Sequence, residues 1–265
     1  MFALEFVNFQ YNVVEFTSKT AIFSESPYGL KQKDGFNLGI SSGIIPGDFY
    51  GGGILSYKNS ALEGVVYRSG DVLITTLPDT TRPPSSDNQP EVVGRGNFWA
   101  GKVSFRTHRI KGDFVYGFKA KFIYAKFLSD WGSGGGFDVF GGYFGKNILT
   151  FVAINNVLTS PVIWSTGKRE FALPEGDLRF SLRNGIIMLT FGGVFSPDGR
   201  GFKLKRDGFV SLSLDTPYFG IFGGFLDGFP RLGIKVKRKN YSLSIGSSYQ
   251  PDFGFSFRGD FAFEI

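Results

Sequence analysis

The sequence predicts an all-β protein, a transmembrane antiparallel β-barrel of about 14 strands, give or take two, with up-and-down topology. Three observations predict this fold. Apolar and polar residues alternate with a period of two along many segments, which is the pattern of a strand with two different faces. Many segments run to about 9–13 residues, which is long enough for a tilted strand to cross a bilayer. The apolar rows are rich in phenylalanine, of which the chain has 32.

The clearest of these segments is the last one, Phe253–Ile265. Bulky apolar residues, nearly all phenylalanine, alternate there with small, polar or charged residues. An ordinary strand ends after roughly five or six residues, and this one is about twice as long. We therefore expect its apolar row to face lipid and its other row to face a polar lumen. We also expect it to close the barrel by pairing with a strand at Val7–Val13.

The other strands are predicted from the same alternation, with breaks at glycine, proline, asparagine or charged residues. Asn184-Gly185 is the strongest turn, because this dipeptide is typical of two-residue β-hairpins. Ser69-Gly70 and the glycine run Gly132–Gly136 are also predicted to be turns. In chain order, the remaining strands are predicted at Phe36–Ser41, Phe49–Tyr57, Leu62–Arg68, Asp71–Leu77, Phe98–His108, Tyr116–Tyr124, Phe137–Tyr143, Ile148–Val157, Leu178–Arg183, Ile186–Phe195, Gly208–Asp215, Tyr218–Leu226, Arg231–Lys237 and Tyr241–Tyr249.

Two segments lack the alternation. Residues 17–34 show little of it and contain a turn at Ser24–Gly29. Residues 78–96 contain four prolines with serine, threonine, aspartate and asparagine. A loop of this length in a compact domain is usually functional or disordered. We expect the 78–96 loop on the extracellular side or folded over the mouth of the barrel.

Composition limits the other classes. The 265 residues are predicted to form one barrel domain, residues 1–265, because no linker divides the chain. Cysteine is absent, which excludes disulfides and thiolate metal sites. No apolar run approaches the roughly 18 residues of a membrane-spanning helix, which excludes a helical membrane protein. The N-terminus lacks the basic and apolar regions of an export signal, and we expect that such a signal has been removed.

Catalysis and nucleic-acid binding find little support. His108 is the single histidine, and we expect it to lie in the lumen or at its rim. The sequence has no serine nucleophile elbow and no histidine-based metal site. The glycine run leads into a strand rather than a helix, which argues against a phosphate-binding loop. The net charge of +6 is spread over many strands rather than one platform. We therefore predict no enzyme, no cofactor, no metal and no nucleic-acid partner.

Charged residues collect on the polar side of the alternation, and we expect that side to line the lumen. The basic lumen residues predicted in this way are Lys102, Arg106, Lys119, Lys121, Arg179, Arg183, Lys235, Lys237 and Arg258. The acidic ones are Asp138, Asp215, Asp260 and Glu264. The phenylalanines predicted to face lipid are Phe105, Phe118, Phe122, Phe180, Phe253, Phe255, Phe257, Phe261 and Phe263.

The excess of cations on this side allows two interpretations. An unpaired charge in a dry interior costs several kcal/mol, so water must reach these cations or acidic partners must pair them. In the first interpretation they are solvated or paired side chains that fill a narrow barrel. In the second, a basic lumen favours anionic or carboxylate-bearing solutes by focusing its electric field.

Ala153–Val157 carries two asparagines at the end of a strand, and it is followed by Leu173-Pro174 and by a strand that begins Leu178-Arg179. These short motifs resemble the PorV/PorQ-like barrels of the FadL superfamily. Glu25–Leu30 is similar to a segment near the N-terminus of that superfamily, with Ser26 and Tyr28 as departures. The resemblance implies a barrel of about 14 strands in the outer membrane of a diderm bacterium. It also implies that the N-terminal segment, residues 17–34, acts as a hatch or plug.

Three functions remain open at this point. The first is an outer-membrane channel or transporter, surrounded by membrane lipid, for small solutes that are hydrophobic or anionic. The second is a non-conducting barrel that serves secretion or envelope anchoring by binding a protein partner through its loops, above all 78–96. The third is a soluble all-β binding protein, which would remain in solution without detergent.

Overall fold

The structure is a computed structural model that describes residues 36–45, 48–79, 81, 85, 88–197, 202–226, 229–250 and 254–264. These residues form a closed barrel of 14 antiparallel strands in up-and-down order, and they contain no helix. The predicted all-β, up-and-down antiparallel barrel of about 14 strands is therefore confirmed. The described part of the chain contains no helix that is long and apolar enough to span a membrane.

Each strand of the wall pairs with its neighbours in the sequence, and the two-residue strand β8 lies outside the wall. It pairs with Val162 and Ile163 of β7, while β9 follows β7 in the wall itself. The strands are β1 (Phe36–Ile45), β2 (Asp48–Tyr57), β3 (Ser60–Thr76), β4 (Glu91–Lys111), β5 (Phe114–Phe127), β6 (Asp130–Phe144), β7 (Ile148–Trp164), β8 (Arg169–Glu170), β9 (Glu175–Asn184), β10 (Ile187–Pro197), β11 (Phe202–Asp215), β12 (Phe219–Leu226), β13 (Phe229–Arg238), β14 (Tyr241–Gln250) and β15 (Gly254–Glu264).

The barrel closes between the first and last of these strands. β15 pairs on one edge with β14 and on the other with β1, where Leu38 lies opposite Phe263. Both edges of β15 are therefore occupied. The expectation that it pairs with Val7–Val13 is wrong, because β1 carries the same alternation and takes that place. Val7–Val13 itself lies outside the described residues.

Two strands are longer than the alternation predicted. β3 is continuous through Ser69-Gly70, where the register with β4 shifts as it does in a β-bulge, so the predicted turn is instead a bulge. β4 begins at Glu91, which pairs with Thr76, so the last six residues of the predicted 78–96 loop belong to a strand. β3 and β4 together extend beyond the ends of β2 and β5 as a two-stranded ribbon.

The glycine run Gly132–Gly136 lies inside β6 and is not a turn. Its inward-facing glycines meet bulky neighbours, because a Cβ at Gly132 would lie 2.9 Å from the Trp164 ring and one at Gly136 would lie 3.2 Å from Cε of Lys121. Glycine is needed here to give space to side chains from the adjacent strands. Sequence alone does not distinguish this use of glycine from a turn.

The connections differ between the two ends of the barrel. At one end, which we call the turn end, strands are joined by only two or three residues, at 58–59, 112–113, 145–147, 185–186, 216–218 and 239–240. At the opposite end, the loop end, the connections include the long segments 77–90 and 165–174. β1 begins and β15 ends at the turn end.

The predicted hairpin at Asn184-Gly185 is confirmed with a shift of one residue. Asn184 pairs with Ile187, so the two loop residues are Gly185 and Ile186. Gly185 has a φ of 58°, which suits glycine at the first central position of a type II′ turn.

An apolar belt covers the outer face of the barrel. On β4, buried and exposed side chains alternate, and no outward-facing residue between Asn97 and Arg109 is charged. On β5, the outward residues from Phe114 to Tyr124 are all apolar or aromatic, and Lys126 follows them. The ten steps from Trp99 to Arg109 correspond to roughly 33 Å along the strand, or about 25 Å along the barrel axis at a tilt near 40°.

The closing pair can be tested by cross-linking, because the chain contains no cysteine. We predict that Leu38→Cys with Phe263→Cys forms a disulfide in high yield on oxidation, since the two are register partners. Facing Cα atoms of antiparallel strands lie about 4.5–5.5 Å apart, within disulfide reach. The measurement is the mobility of the oxidised, heat-denatured protein in a gel. Leu38→Cys with Phe255→Cys, on the same strands but out of register, is the control. Efficient cross-linking of Phe263→Cys to Phe9→Cys would contradict the closure.

Candidate functional site

The inner face of the wall is the candidate site, because the predicted lumen residues alternate there with the outer belt. Most of them are buried on this face: Lys102, Lys119, Lys121, Lys235, Arg179, Arg258, Asp138 and Asp260. Arg106, Lys237 and Asp215 are half-buried. Glu264 lies on β15, but its side chain is outside what the structure describes. That these residues line a lumen stays a prediction.

Arg183 differs from the other predicted lumen residues because its side chain is exposed. It shares the row of Arg179, but it lies next to the last residue of β9, beside the hairpin. The Arg183 Nε donates a hydrogen bond to the carbonyl of Gly185 at 3.3 Å. Arg183 thus belongs to the rim at the turn end and not to the buried inner face.

Asp138 on β6 is the centre of the first charged cluster. Its Oδ1 accepts hydrogen bonds from Lys121 Nζ at 2.7 Å and from the backbone N–H of Asn156 at 2.8 Å. Its Oδ2 lies 3.4 Å from Lys119 Nζ. A buried carboxylate needs such partners, because both of its oxygens have lost water. Asp138 therefore ties β5, β6 and β7 together on the inside of the barrel.

Asp177 and Arg179 form the most deeply buried ion pair of the described residues. They are two positions apart on β9, which places both on the inner face, and each is 1% exposed. Arg179 donates from Nε to Oδ1 at 2.7 Å and from Nη2 to Oδ2 at 2.6 Å. The guanidinium also lies 5.7 Å from the centre of the Phe151 ring. This two-pronged geometry is the strong form of an arginine–carboxylate pair.

The same two-residue spacing recurs on β15. Arg258 Nε donates to Asp260 Oδ1 at 2.6 Å, and the Ser244 hydroxyl donates to Asp260 Oδ2 at 3.2 Å. Lys237 pairs with Asp215 across two strands. These contacts favour the interpretation in which acidic partners pair the inner cations.

The sequence analysis missed further acidic residues of the inner face, among them Asp48, Glu63 and Asp177. Tyr67 donates its hydroxyl to Asp48 Oδ2 at 2.6 Å, and the Ser104 hydroxyl donates to Glu63 Oε2 at 3.2 Å. Asp177 could have been found by extending the Leu178 alternation one residue towards the N-terminus. The residues two positions before and after Glu63, Ala61 and Val65, are apolar, so alternation does not mark the row of Glu63 as polar. With these three acids, the described inner face is closer to charge balance than the sequence indicated.

Two apolar clusters also lie on the inner face, where the sequence predicted a polar lining. The first is formed by Tyr50, Ile54, Ala61, Val65, Tyr67, Phe98, Ala100, Ala125 and Ala262. The second is formed by Val115, Phe140, Phe144, Leu149, Phe151 and Ala153. Some of the segments that contribute to them, such as Leu149–Ala153 of β7, carry apolar residues on both faces, so alternation does not mark their inner row. The described interior thus combines apolar patches with paired charges.

A bulge in β7 connects the motifs on which the family resemblance rests. Asn156 has a φ of 59°, a left-handed conformation, and the register of β7 against β6 shifts beside it. Its side-chain Nδ2 donates to the carbonyl of Leu173 at 3.1 Å. The bulge re-aims the Asn156 backbone N–H towards Asp138. The asparagine segment and the Leu173-Pro174 pair are therefore neighbours in space.

The phenylalanines predicted to face lipid lie mainly in the outer belt. Those with exposed side chains are Phe105, Phe118, Phe122, Phe255, Phe257 and Phe261. Phe180 is half-buried against Phe191, with ring centres 5.0 Å apart, and Phe263 is also half-buried. Phe253 lies outside the described residues. Contact of this belt with lipid stays a prediction.

The described residues offer little to a metal ion. No group of three or more histidine, aspartate or glutamate side chains among them is placed to bind one. His108 is buried on the inner face near the turn end, and its backbone N–H donates to the carbonyl of Asn59 at 3.0 Å. What the site offers chemically is paired charge, hydroxyl groups and aromatic surface.

The Asp177–Arg179 pair allows a test of how dry the interior is. We predict that Asp177→Ala lowers the free energy of unfolding by about 3–5 kcal/mol, because it leaves a buried guanidinium without its carboxylate. The double variant Asp177→Leu with Arg179→Met should have a free energy of unfolding within about 1 kcal/mol of the parent's, or higher, because both charges are removed. Denaturant titration in detergent measures both. Glu91→Ala, at an exposed position, is the control; a cost for Asp177→Ala no larger than this control would show that water reaches Arg179.

Comparison with known proteins does not place the chain in a family. No protein-family model matches it, and no curated protein does. Among solved structures, the TodX monoaromatic hydrocarbon channel (deltaS2 mutant) aligns over 94% of this chain and 93% of its own, with TM-score 0.48 and 9% identity. A mutant of Rh. blastica porin aligns over 87% and 99%, with TM-score 0.37 and 6% identity. Salmonella typhi OmpF in complex with daunomycin aligns over 88% and 97%, with TM-score 0.28 and 8% identity. These values are too low to carry an argument about family or function.

Proposed function

We propose that this protein is a membrane-spanning β-barrel of an outer membrane that lets small solutes cross. The observation that carries the proposal is the outer belt, which is free of charged side chains over about 25 Å of the barrel axis on β4. This height matches the apolar band of outer-membrane barrels. So many exposed phenylalanines are not expected on a soluble barrel, because large exposed apolar patches are rare on soluble monomers.

The two ends of the barrel support an orientation. Outer-membrane barrels have short periplasmic turns and longer extracellular loops. We therefore assign the turn end, with its connections of two or three residues, to the periplasm. The loop end, with the segments 77–90 and 165–174, then faces the cell exterior. The host would be a diderm bacterium, as the family resemblance implies.

The interior supports a filled barrel more than a wide open pore. An eight-stranded barrel is about filled by its own side chains, and the diameter grows with strand number. In this 14-stranded wall, small inner residues such as Ala125 and Ala153 are nevertheless almost completely buried. A segment inside the barrel, added to the side chains of the wall, would account for this burial. We assign this role to residues 17–34, the plug segment predicted from the resemblance, which lie outside the described residues.

The solute class follows from what the inner face can contact. Its apolar clusters suit a hydrophobic solute, and its cations suit a carboxylate or another anion once the solute competes with their acidic partners. A molecule with both an apolar part and an anionic group would use both features. A wide pore that passes solutes by size alone is not favoured by the buried inner face.

Conductance tests the proposed passage and the plug together. We predict that the full chain in a planar bilayer gives rare or small current steps, and that removing residues 17–34 gives larger and more frequent ones. The expected reason is that the deletion opens a lumen of a width typical of larger barrels. The deletion variant is folded if its gel mobility still differs between unheated and boiled samples. A folded deletion variant that conducts no more than the full chain would contradict the plug.

A second function, binding of a protein partner at the loop end, is favoured by the ordered ribbon of β3 and β4. Asn88 is buried beyond the ribbon, and it links the two sides of the 77–90 connection by accepting from the backbone N–H of Asp79 at 3.0 Å and donating to the Asp79 carbonyl at 2.9 Å. Loops positioned by a rigid scaffold often carry recognition.

Partner binding predicts a specific effect of Asn88→Ala. This variant should loosen the loop and weaken co-purification of a partner at least several-fold, while the barrel keeps its heat-dependent gel mobility. The exposed Thr75→Ala on the same ribbon is the matched control. Equal co-purification by both variants and the parent would remove the support for this second function.

A further inference from the structure

Two cations and two tryptophans form a row across four adjacent strands on the outer face. Arg68 of β3 is the register partner of Trp99 on β4, Trp99 is the partner of Lys126 on β5, and Lys126 is the partner of Trp131 on β6. All four side chains are exposed. The chain has only three tryptophans, and two of them lie here. We call these four residues the rim row.

The charges of the rim row are available to a ligand. The Arg68 guanidinium lies over the Trp99 ring, 5.1 Å from its centre, and so stays on the outer surface. Within the described part of the chain, neither Arg68 nor Lys126 forms an ion pair with a carboxylate. Alternate strands lie roughly 10 Å apart, so the long side chains of Arg68 and Lys126 can reach one group placed over Trp99.

The rim row lies at one edge of the apolar belt. Towards the turn end, the outward residues of the same strands are apolar or aromatic, such as Val66, Val103 and Tyr124. Towards the loop end, β4 continues with Asn97 and Arg95 on its outer face. Tryptophan concentrates where the hydrocarbon of a membrane meets its headgroups. The row is therefore at headgroup level if the belt spans the membrane.

We propose that the rim row binds the phosphate-bearing headgroup of a lipid in the leaflet at the loop end. This rests on the proposed membrane-spanning function. A lipid phosphate would receive charge-assisted hydrogen bonds from Arg68 and Lys126, while its acyl chains lie along the belt below. Trp99 and Trp131 hold the position of this site at the interface. The occupant is a lipid and not a free ion, because the cations and the apolar belt are adjacent and an inorganic phosphate would use only the former.

The tryptophans provide a local readout of binding. The full chain is inserted into phosphatidylcholine vesicles that contain phosphatidylethanolamine labelled with dansyl on its headgroup, which carries one negative phosphate. We expect efficient energy transfer from tryptophan to dansyl, reduced by added phosphatidylglycerol. In Arg68→Gln with Lys126→Gln, about tenfold more labelled lipid should be needed for the same transfer, since each cation near the surface contributes to attraction of an anionic headgroup.

The control variant is Arg109→Gln with Lys111→Gln, which removes the same charge from exposed positions of β4 at the turn end. It should leave the transfer unchanged. Equal transfer by the parent and the Arg68→Gln, Lys126→Gln variant would overturn the proposal. Displacement of the labelled lipid by inorganic phosphate alone, at equal phosphate concentration, would also overturn it in favour of a free-anion site. A parent protein that never enters the vesicles would overturn the proposed function itself, and the gel-mobility assay separates this case from loss of the rim site.

Discussion

The ladder of backbone hydrogen bonds that runs once around the ring is the constraint on which the rest of the structure depends. A strand edge in hydrocarbon would leave N–H and C=O groups without partners, each at a cost of several kcal/mol, so a sheet can cross a membrane only if it closes. The pairing of β1 with β15 removes the last two edges. Once the ring is closed, every strand has one face outside and one inside, and the two-residue period of the sequence assigns each side chain to a face. The belt and the charged interior are consequences of that single closure.

Closure of the barrel also requires that each inward-facing charge finds a partner or water inside the barrel. Side chains that point inward cannot leave, and a cation among apolar clusters is stable only with a carboxylate beside it or water around it. In two cases the carboxylate partner lies on the same strand: Asp177 and Arg179 are two residues apart on β9, and Arg258 and Asp260 are two residues apart on β15. Asp138 instead gathers lysines from the neighbouring strand. A solute that crosses would have to separate or replace some of these pairs, which is a physical basis for selectivity.

Much of this architecture could be predicted from the sequence, because alternation of apolar and polar residues is a local property. It correctly indicated β5, β9 and most of the outer belt, and the hairpin at Gly185 followed from one dipeptide. The alternation gave wrong predictions where one local pattern is compatible with two structures. The glycines of β6 give space to Trp164 and Lys121 but look like a turn. Val115 and Phe151 are apolar residues on the inner face, where neighbours from other strands decide their burial. The partner of the last strand is a matter of long-range pairing, which no local pattern records.

If the barrel spans a membrane as proposed, the odd positions of β4 face lipid and the even positions face a packed interior. The most direct test attaches a spin label at single cysteines placed at Val103, Ser104 and Phe105 in the cysteine-free chain, in lipid vesicles, and measures collision with oxygen and with a water-soluble nickel chelate. We expect labels at Val103 and Phe105 to meet oxygen readily and the nickel chelate hardly at all, and the label at Ser104 to meet neither. Ready access of the nickel chelate to labels at Val103 and Phe105 would contradict it.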